Sequence, residues 1–168
     1  SCNINNIINM GSVSFSGDLG NIDNSRYSFG GGIVAECQTL NHNCVVSNCF
    51  NYGPITWSGK SKFGVTGGII GKISYDNSAS ITQWTVNNCF SDTAITYTGD
   101  SAEPPYIGGI IGSADNGTIN SCLVLGSFAS NQPNKTGVFV GSVEGSLGIS
   151  TCLWDENINF NIWGSGTS

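Results

Sequence analysis

Apolar side chains return along this chain in two alternating patterns, and both patterns repeat. The first is a block of thirteen residues, running Ile4 to Ser16, Val46 to Ser58, Val86 to Thr98, Ile119 to Asn131 and Ile149 to Asn161, aligned without a gap. Its first column is β-branched and aliphatic: Ile4, Val46, Val86, Ile119, Ile149. Its third is short and polar: Asn6, Asn48, Asn88, Ser121, Thr151. The fourth is Ile7, Cys49, Cys89, Cys122, Cys152, and the fifth is Ile8, Phe50, Phe90, Leu123, Leu153. Columns ten (Val13, Ile55, Ile95, Phe128, Ile158) and twelve (Phe15, Trp57, Tyr97, Ser130, Phe160) alternate with Ser14, Thr56, Thr96, Ala129 and Asn159. A period of two is the mark of a strand with one buried face. The second pattern is shorter: GGIVAE from Gly31, GGIIGK from Gly67, GGIIGS from Gly108 and GVFVGS from Gly137.

The long blocks start 42, 40, 33 and 30 residues apart. Strands keep their length while connections vary, which is how stacked repeats absorb insertions. A propeller blade needs four strands, and a repeat of 30 residues is too short for one. The pattern predicts an all-β chain folded as a parallel β-helix (β-solenoid) of about five rungs. It forms one domain, 1–168, divided into a half-repeat 1–29 and repeats 30–66, 67–107, 108–136 and 137–168. Rungs are expected to stack about 4.8 Å apart, with like residues on like. That gives ladders of Asn, Cys and aromatic side chains, the Asn amides bonding along the pile. Gly53 and Gly126 are expected at sharp corners with positive φ.

Composition narrows the reading further. Of 168 residues, 24 are Gly, 20 Asn and 23 Ser, so poor helix formers dominate. Charged residues make up 10%, against about 25% in an ordinary soluble domain. Five basic residues against 11 acidic ones, a net charge of -6, cannot supply a phosphate-neutralising stripe, which excludes nucleic acid as a partner. No apolar run approaches the roughly 20 residues of a membrane-spanning helix, so membrane insertion is not expected. Low charge also argues against disorder. The chain begins at Ser1 with no signal-peptide pattern, as expected of a processed mature protein or a piece of something longer.

The motif GGIIG, then a loop, then I-x-N-C, then G-x-I resembles the GLUG-type repeat of secreted and surface proteins of bacteria and protists. The resemblance runs from about Gly31 to Phe160 and departs at Gly137 to Gly141 (GVFVG) and at Ala35. It implies a stalk, an adhesive surface or a region accessory to an enzyme, and it carries no catalytic residues.

Seven Cys are present. Cys49, Cys89, Cys122 and Cys152 share one column and are expected to point inward, either as a ladder of buried thiols or as disulfides between adjacent rungs. Their collinearity, and the lack of any CxxC, argue against zinc. Cys2 and Cys44 become equivalent when the first two blocks are aligned, and Cys37 is close by. One disulfide among the three is expected, 2–44 or 37–44, which implies an oxidising, extracellular setting. Two sequons, at Asn116 and Asn134, fall in Gly/Asn-rich loops and are candidate glycosylation sites.

Catalytic chemistry is not indicated. His42, the single histidine, sits in a polar loop. Asp92 and Asp155 share a column but Leu125 separates them, and Asp18, Asp23, Asp100 and Glu103 follow no calcium-loop spacing. No catalytic residue, metal or cofactor is therefore expected. Tyr52, Trp84, Trp154 and Trp163 lie outside the buried aromatic column and are candidate contacts for glycans or partners. Ser12, Ser14, Ser16, Thr56, Ser58, Thr96 and Thr98 form an irregular hydroxyl array of the kind found on ice-binding faces.

The first repeat lacks its Gly-Gly half and the last lacks anything after its second half. Open repeat ends invite strand pairing, so protomers are expected to stack head to tail into an open filament. The resulting expectation is a non-enzymatic, extracellular structural protein, a protomer of a fibre, stalk or surface layer. The alternatives are an adhesin or glycan-binding module and, behind it, a polysaccharide-active solenoid enzyme or an ice-binding protein.

Overall fold

A computed structural model describes residues 2–16, 27–39, 43–58, 60–61, 63–75, 83–101, 105–130 and 135–166. Among them the chain is all-β, and every strand pairing is parallel. Three sheets are built from the thirteen-residue blocks. One pairs Cys2–Asn5, Cys44–Ser47, Trp84–Asn87, Gly117–Asn120 and Leu147–Ser150 in that order. The next pairs Ile8–Asn9, Phe50–Asn51, Phe90–Ser91, Leu123–Val124 and Leu153–Trp154. The third pairs Val13–Phe15, Ile55–Trp57, Ala94–Tyr97 and Ser127–Ser130.

Register follows the sequence columns. Ile4, Val46, Val86, Ile119 and Ile149 are successive Cα partners. So are Ile8, Phe50, Phe90, Leu123 and Leu153. Val13, Ile55, Ile95 and Phe128 stack in the same way. The aromatic column is also real: Trp57 and Tyr97 lie face to face, with centroids 4.7 Å apart and planes 8° off parallel. Amides bond along the pile, with Asn88 Nδ2 donating to Asn48 Oδ1 at 2.6 Å and Asn9 Nδ2 to Asn51 Oδ1 at 2.9 Å.

The third column is where the backbone turns. Asn6, Asn48, Asn88, Ser121 and Thr151 all have φ between 51° and 58°. Left-handed backbone is tolerated best, after Gly, by residues with short polar side chains. Gly53 and Gly126 do not have positive φ, contrary to expectation. They are needed for close approach instead. A Cβ on Gly53 would stand 1.9 Å from the Gly11 carbonyl oxygen, and one on Gly126 would stand 1.9 Å from that of Thr93.

The Gly-Gly blocks form an eight-stranded sheet with two limbs. One limb is Tyr27–Gly31, Phe63–Gly67 and Tyr106–Gly108; the other is Val34–Thr39, Ile70–Tyr75 and Ile111–Ala114. Both limbs end on Thr136–Val143, which nearly closes the sheet. Between the limbs the chain reverses at Gly-Ile pairs, and glycine lets the two backbones touch. A Cβ on Gly112 would lie 2.5 Å from the Gly71 carbonyl oxygen and 2.7 Å from the Thr66 nitrogen. Where the sequence departs to GVFVG, Thr136–Val143 is fully buried along its length and still folds back, since a Cβ on Gly141 would lie 2.5 Å from the nitrogen of Ile107, the partner of Thr136.

Two departures fall in the last block. Ile158 and Phe160 do not extend the third sheet, which stops at Ser127–Ser130. A turn replaces the strand, because the Asp155 carboxylate accepts from the Asn157 backbone N–H at 2.9 Å and the Ile158 N–H bonds the Asp155 carbonyl at 3.0 Å. Second, the last block is followed by a Gly-Gly-type strand after all. Asn161–Gly166 pairs with Thr136–Val143, setting Trp163 opposite Val140 and Ser165 opposite Ser142. The signal was present as Ile162-Trp163-Gly164-Ser165 beside Phe139-Val140-Gly141-Ser142.

The core has two lobes. The larger holds the first-column and cysteine side chains with Ile69, Ile70, Ile110, Ile111, Phe139 and Val140. The smaller holds Ile55, Trp57, Ile95, Tyr97 and Ile107. Buried Asn51 belongs to neither lobe: its Nδ2 donates to the Gly68 carbonyl at 2.8 Å, and its Oδ1 accepts from Gly53 N at 3.1 Å. Its polar groups are thus satisfied at the Gly-Ile reversal, where an unpartnered amide would be costly.

Candidate functional site

The cysteine column lies inside, as expected. Cys49, Cys89 and Cys122 are buried and Cys152, on the last block, is half-buried. All seven cysteines are free thiols in the structure. Each column thiol donates to the carbonyl two residues before it, from Cys49 to Ser47 at 3.3 Å through Cys152 to Ser150 at 3.2 Å. Cys89, Cys122 and Cys152 also reach the first-column carbonyl of the preceding block, at 3.6 to 3.9 Å. A thiol suits this place because it is small, apolar and a weak donor. Burial pushes the Cys49 thiol up, while the hydrogen bond from Cys122 pulls Cys89 down and holds Cys122 itself well above the ordinary range.

The other three cysteines converge. Cys2 and Cys44 are Cα partners on adjacent strands, as their alignment implied. Cys37 arrives from the opposite sheet, in a column it shares with Ile73, Ala114 and Val143. The three sulfurs lie within 4.8 Å of one another, with Cys37 and Cys44 buried and Cys2 at the surface. The hydrogen bond from Cys44 is the chief reason the Cys37 thiol falls from 9.0 to about 7, against the opposing pull of burial. Cys44 correspondingly stays protonated far above the usual thiol range. In reduced, metal-free protein the ultraviolet thiolate absorbance should therefore show a step near pH 7, about two units below 9.0, that is absent in Cys37→Ser. A first step no lower than 9.0 would contradict the assignment.

Trp84 is not on the surface. It is 2% exposed. The reason is the period of two: Trp84 stands two residues before Val86, on the same face, in a column reading Cys2, Cys44, Trp84, Gly117, Leu147. The indole fills the room that Gly117 leaves, since a Cβ there would be 2.2 Å from Trp84 Cε2. Tyr52 does face outward, 45% exposed, with its ring edge-on to Phe90 at 5.3 Å. Trp154 belongs to an inward column, below Val124, and sets its ring edge-on to buried Phe139 at 5.9 Å. It is half-exposed because no further block covers it among the described residues. Trp163 lies in the final strand, opposite Val140.

Asn116 Oδ1 accepts from Ser146 N at 2.7 Å, at the turn where Gly145 takes φ 105°. Asn134, His42, Asp18, Asp23 and Glu103 lie outside the described residues. Ser14, Thr56 and Thr96 align in register, but Ala129 ends the hydroxyl line.

The two outer edges of the stack are the remaining feature. Cys2–Asn5 pairs only with Cys44–Ser47, and Leu147–Ser150 only with Gly117–Asn120, among the described residues. One edge presents Ile7, Ile8 and Met10; the other presents Leu153, Trp154 and Ile162. Leu147, Ile149, Cys152, Trp154 and Ile162 line a groove of about 430 Å³ at the second edge. Comparison with protein-family models, with curated proteins and with solved structures found no match.

Proposed function

We propose that this chain is a β-solenoid of the GLUG-like kind and a non-enzymatic, extracellular structural protomer that stacks head to tail on further copies of itself, in a fibre, stalk or surface layer. The observation that carries the reading is the common register of all five blocks in the first two sheets. Because first-column residues pair with first-column residues throughout, the edge at Ile4 and Ile8 matches the edge at Ile149 and Leu153 in those two sheets. Among the described residues each edge has unpaired strand backbone and large apolar side chains, with Ile8 61% and Leu153 68% exposed. Such a surface favours strand addition, and a non-closing contact of this kind yields an open filament.

Sedimentation velocity and negative-stain imaging across a concentration series test the proposal. Wild-type protein should grow into oligomers of increasing length. Leu153→Asp and Ile8→Asp should each weaken growth at least about tenfold, because the contact would bury an unpaired carboxylate. Wild-type protein that stays monomeric throughout the series would overturn the reading. A glycan-binding surface is the second reading, favoured by the half-exposed ring of Tyr52.

A further inference from the structure

We propose that Cys2, Cys37 and Cys44 form a binding site for one soft, thiophilic d10 metal ion, Zn2+ or Cu+. The inference concerns the thiol cluster alone and is tested on the monomer, because stacking on a further copy would cover Cys2. Three sulfurs from three separate strands form a triangle no wider than 4.8 Å. With metal–sulfur bonds of about 2.3 Å, ligating sulfurs sit roughly 3.8–4.0 Å apart in tetrahedral or trigonal geometry, so closure needs less than about 1 Å of movement. A disulfide would use two of these sulfurs and leave the third beside it; a metal uses all three.

The surroundings suit an ion of this class. Thiolate donors select Cu+ and Zn2+ over hard cations. Cys37 and Cys44 hold the base of the site inside the large core lobe, while Cys2 is exposed at its mouth and gives an ion a way in. Trp84 follows Cys44 in the same column, so the cluster is confined to the first two blocks and closed on its far side by an aromatic residue. The neighbouring carboxylate of Glu36 is engaged elsewhere, accepting from Ser74 Oγ at 3.3 Å. Three sulfurs are thus the donor set among the described residues, which leaves Zn2+ one position for a solvent or external ligand and satisfies Cu+ outright.

Cadmium is the probe, since sulfur-to-Cd2+ charge transfer is visible in the ultraviolet. Reduced protein handled without oxygen should take up one equivalent with a thiolate charge-transfer band. Cys2→Ser should weaken that binding about a hundredfold or more, above the 10–100-fold that loss of even an outer-shell partner costs. Cys37→Ser should do the same. Cys152→Ser, at the open end of the thiol ladder, should leave it unchanged. Because Cys2 is exposed, its variant is expected to fold, and circular dichroism verifies this. Displacement of the Cd2+ by Zn2+ or by Cu+ tells the two ions apart. Binding undiminished in folded Cys2→Ser would overturn the proposal. So would a Cys2–Cys44 or Cys37–Cys44 disulfide found by mass spectrometry in alkylated, unreduced protein.

Discussion

Gly67→Ala should abolish the native fold or destabilise it by more than about 4 kcal/mol, a loss confined to a short list of mechanisms. The added Cβ would stand 1.9 Å from the Ile70 carbonyl oxygen, 2.6 Å from the Gly112 nitrogen and 2.8 Å from the Ile110 carbonyl oxygen. All three are backbone atoms, two of them in the next Gly-Gly block, so no side chain can swing aside. The cause is steric rather than conformational, since φ at Gly67 is not positive. An internal control separates the two effects. Gly11→Ala puts its Cβ 3.7 Å from the nearest atom, at ordinary contact distance. That change should be neutral or stabilise by up to about 1 kcal/mol through the unfolded chain. Denaturant melts of both variants, followed by far-ultraviolet circular dichroism, check the prediction. A Gly67→Ala protein as stable as Gly11→Ala would show that the limbs do not touch.

Phe139→Ala should cost about 3–5 kcal/mol, the usual range for removing a buried aromatic. Phe139 is fully buried, and it is the largest side chain in that state among the described residues. It stands where the other Gly-Gly blocks carry Ile: the Ile110 N–H bonds its carbonyl at 3.0 Å, as Ile69 N–H bonds that of Ile110. It also supports the edge of Trp154. The variant should therefore lose stability and shift part of the tryptophan emission to the red, read in the same denaturant series. Phe139→Leu, which keeps most of the volume, should lose less than half as much. Equal losses in the two variants would mean that the site is not close-packed.

Most of the fold was legible because a parallel stack writes each contact as a repeated letter. Ile4, Val46, Val86, Ile119 and Ile149 could be aligned by eye, and they pair in that order. What escaped notice lies where the letters change. Trp84 shares a column with Cys2, Cys44, Gly117 and Leu147, in which only the two cysteines are alike. Gly53 and Gly126 read as turning backbone, yet five Asn, Ser and Thr residues take that role and the glycines only make room. Asp155 ended a strand through a local hydrogen bond that no column average reveals. The thiol cluster was half visible. Cys2 over Cys44 followed from alignment, but the Cys37 sulfur enters from a strand of another sheet, and only folding brings it there.

The Trp84–Gly117 contact makes the blocks of this stack non-interchangeable. An indole lying on a bare glycine is a lock and key between the third and fourth blocks, and no other pair of blocks can reproduce it. If the pairing slipped by one block, Trp84 would meet Leu147 or the ring would be left without its hollow. A molecule written almost entirely in synonyms thus contains an unambiguous address, and that address tells the remaining blocks which floor they are on.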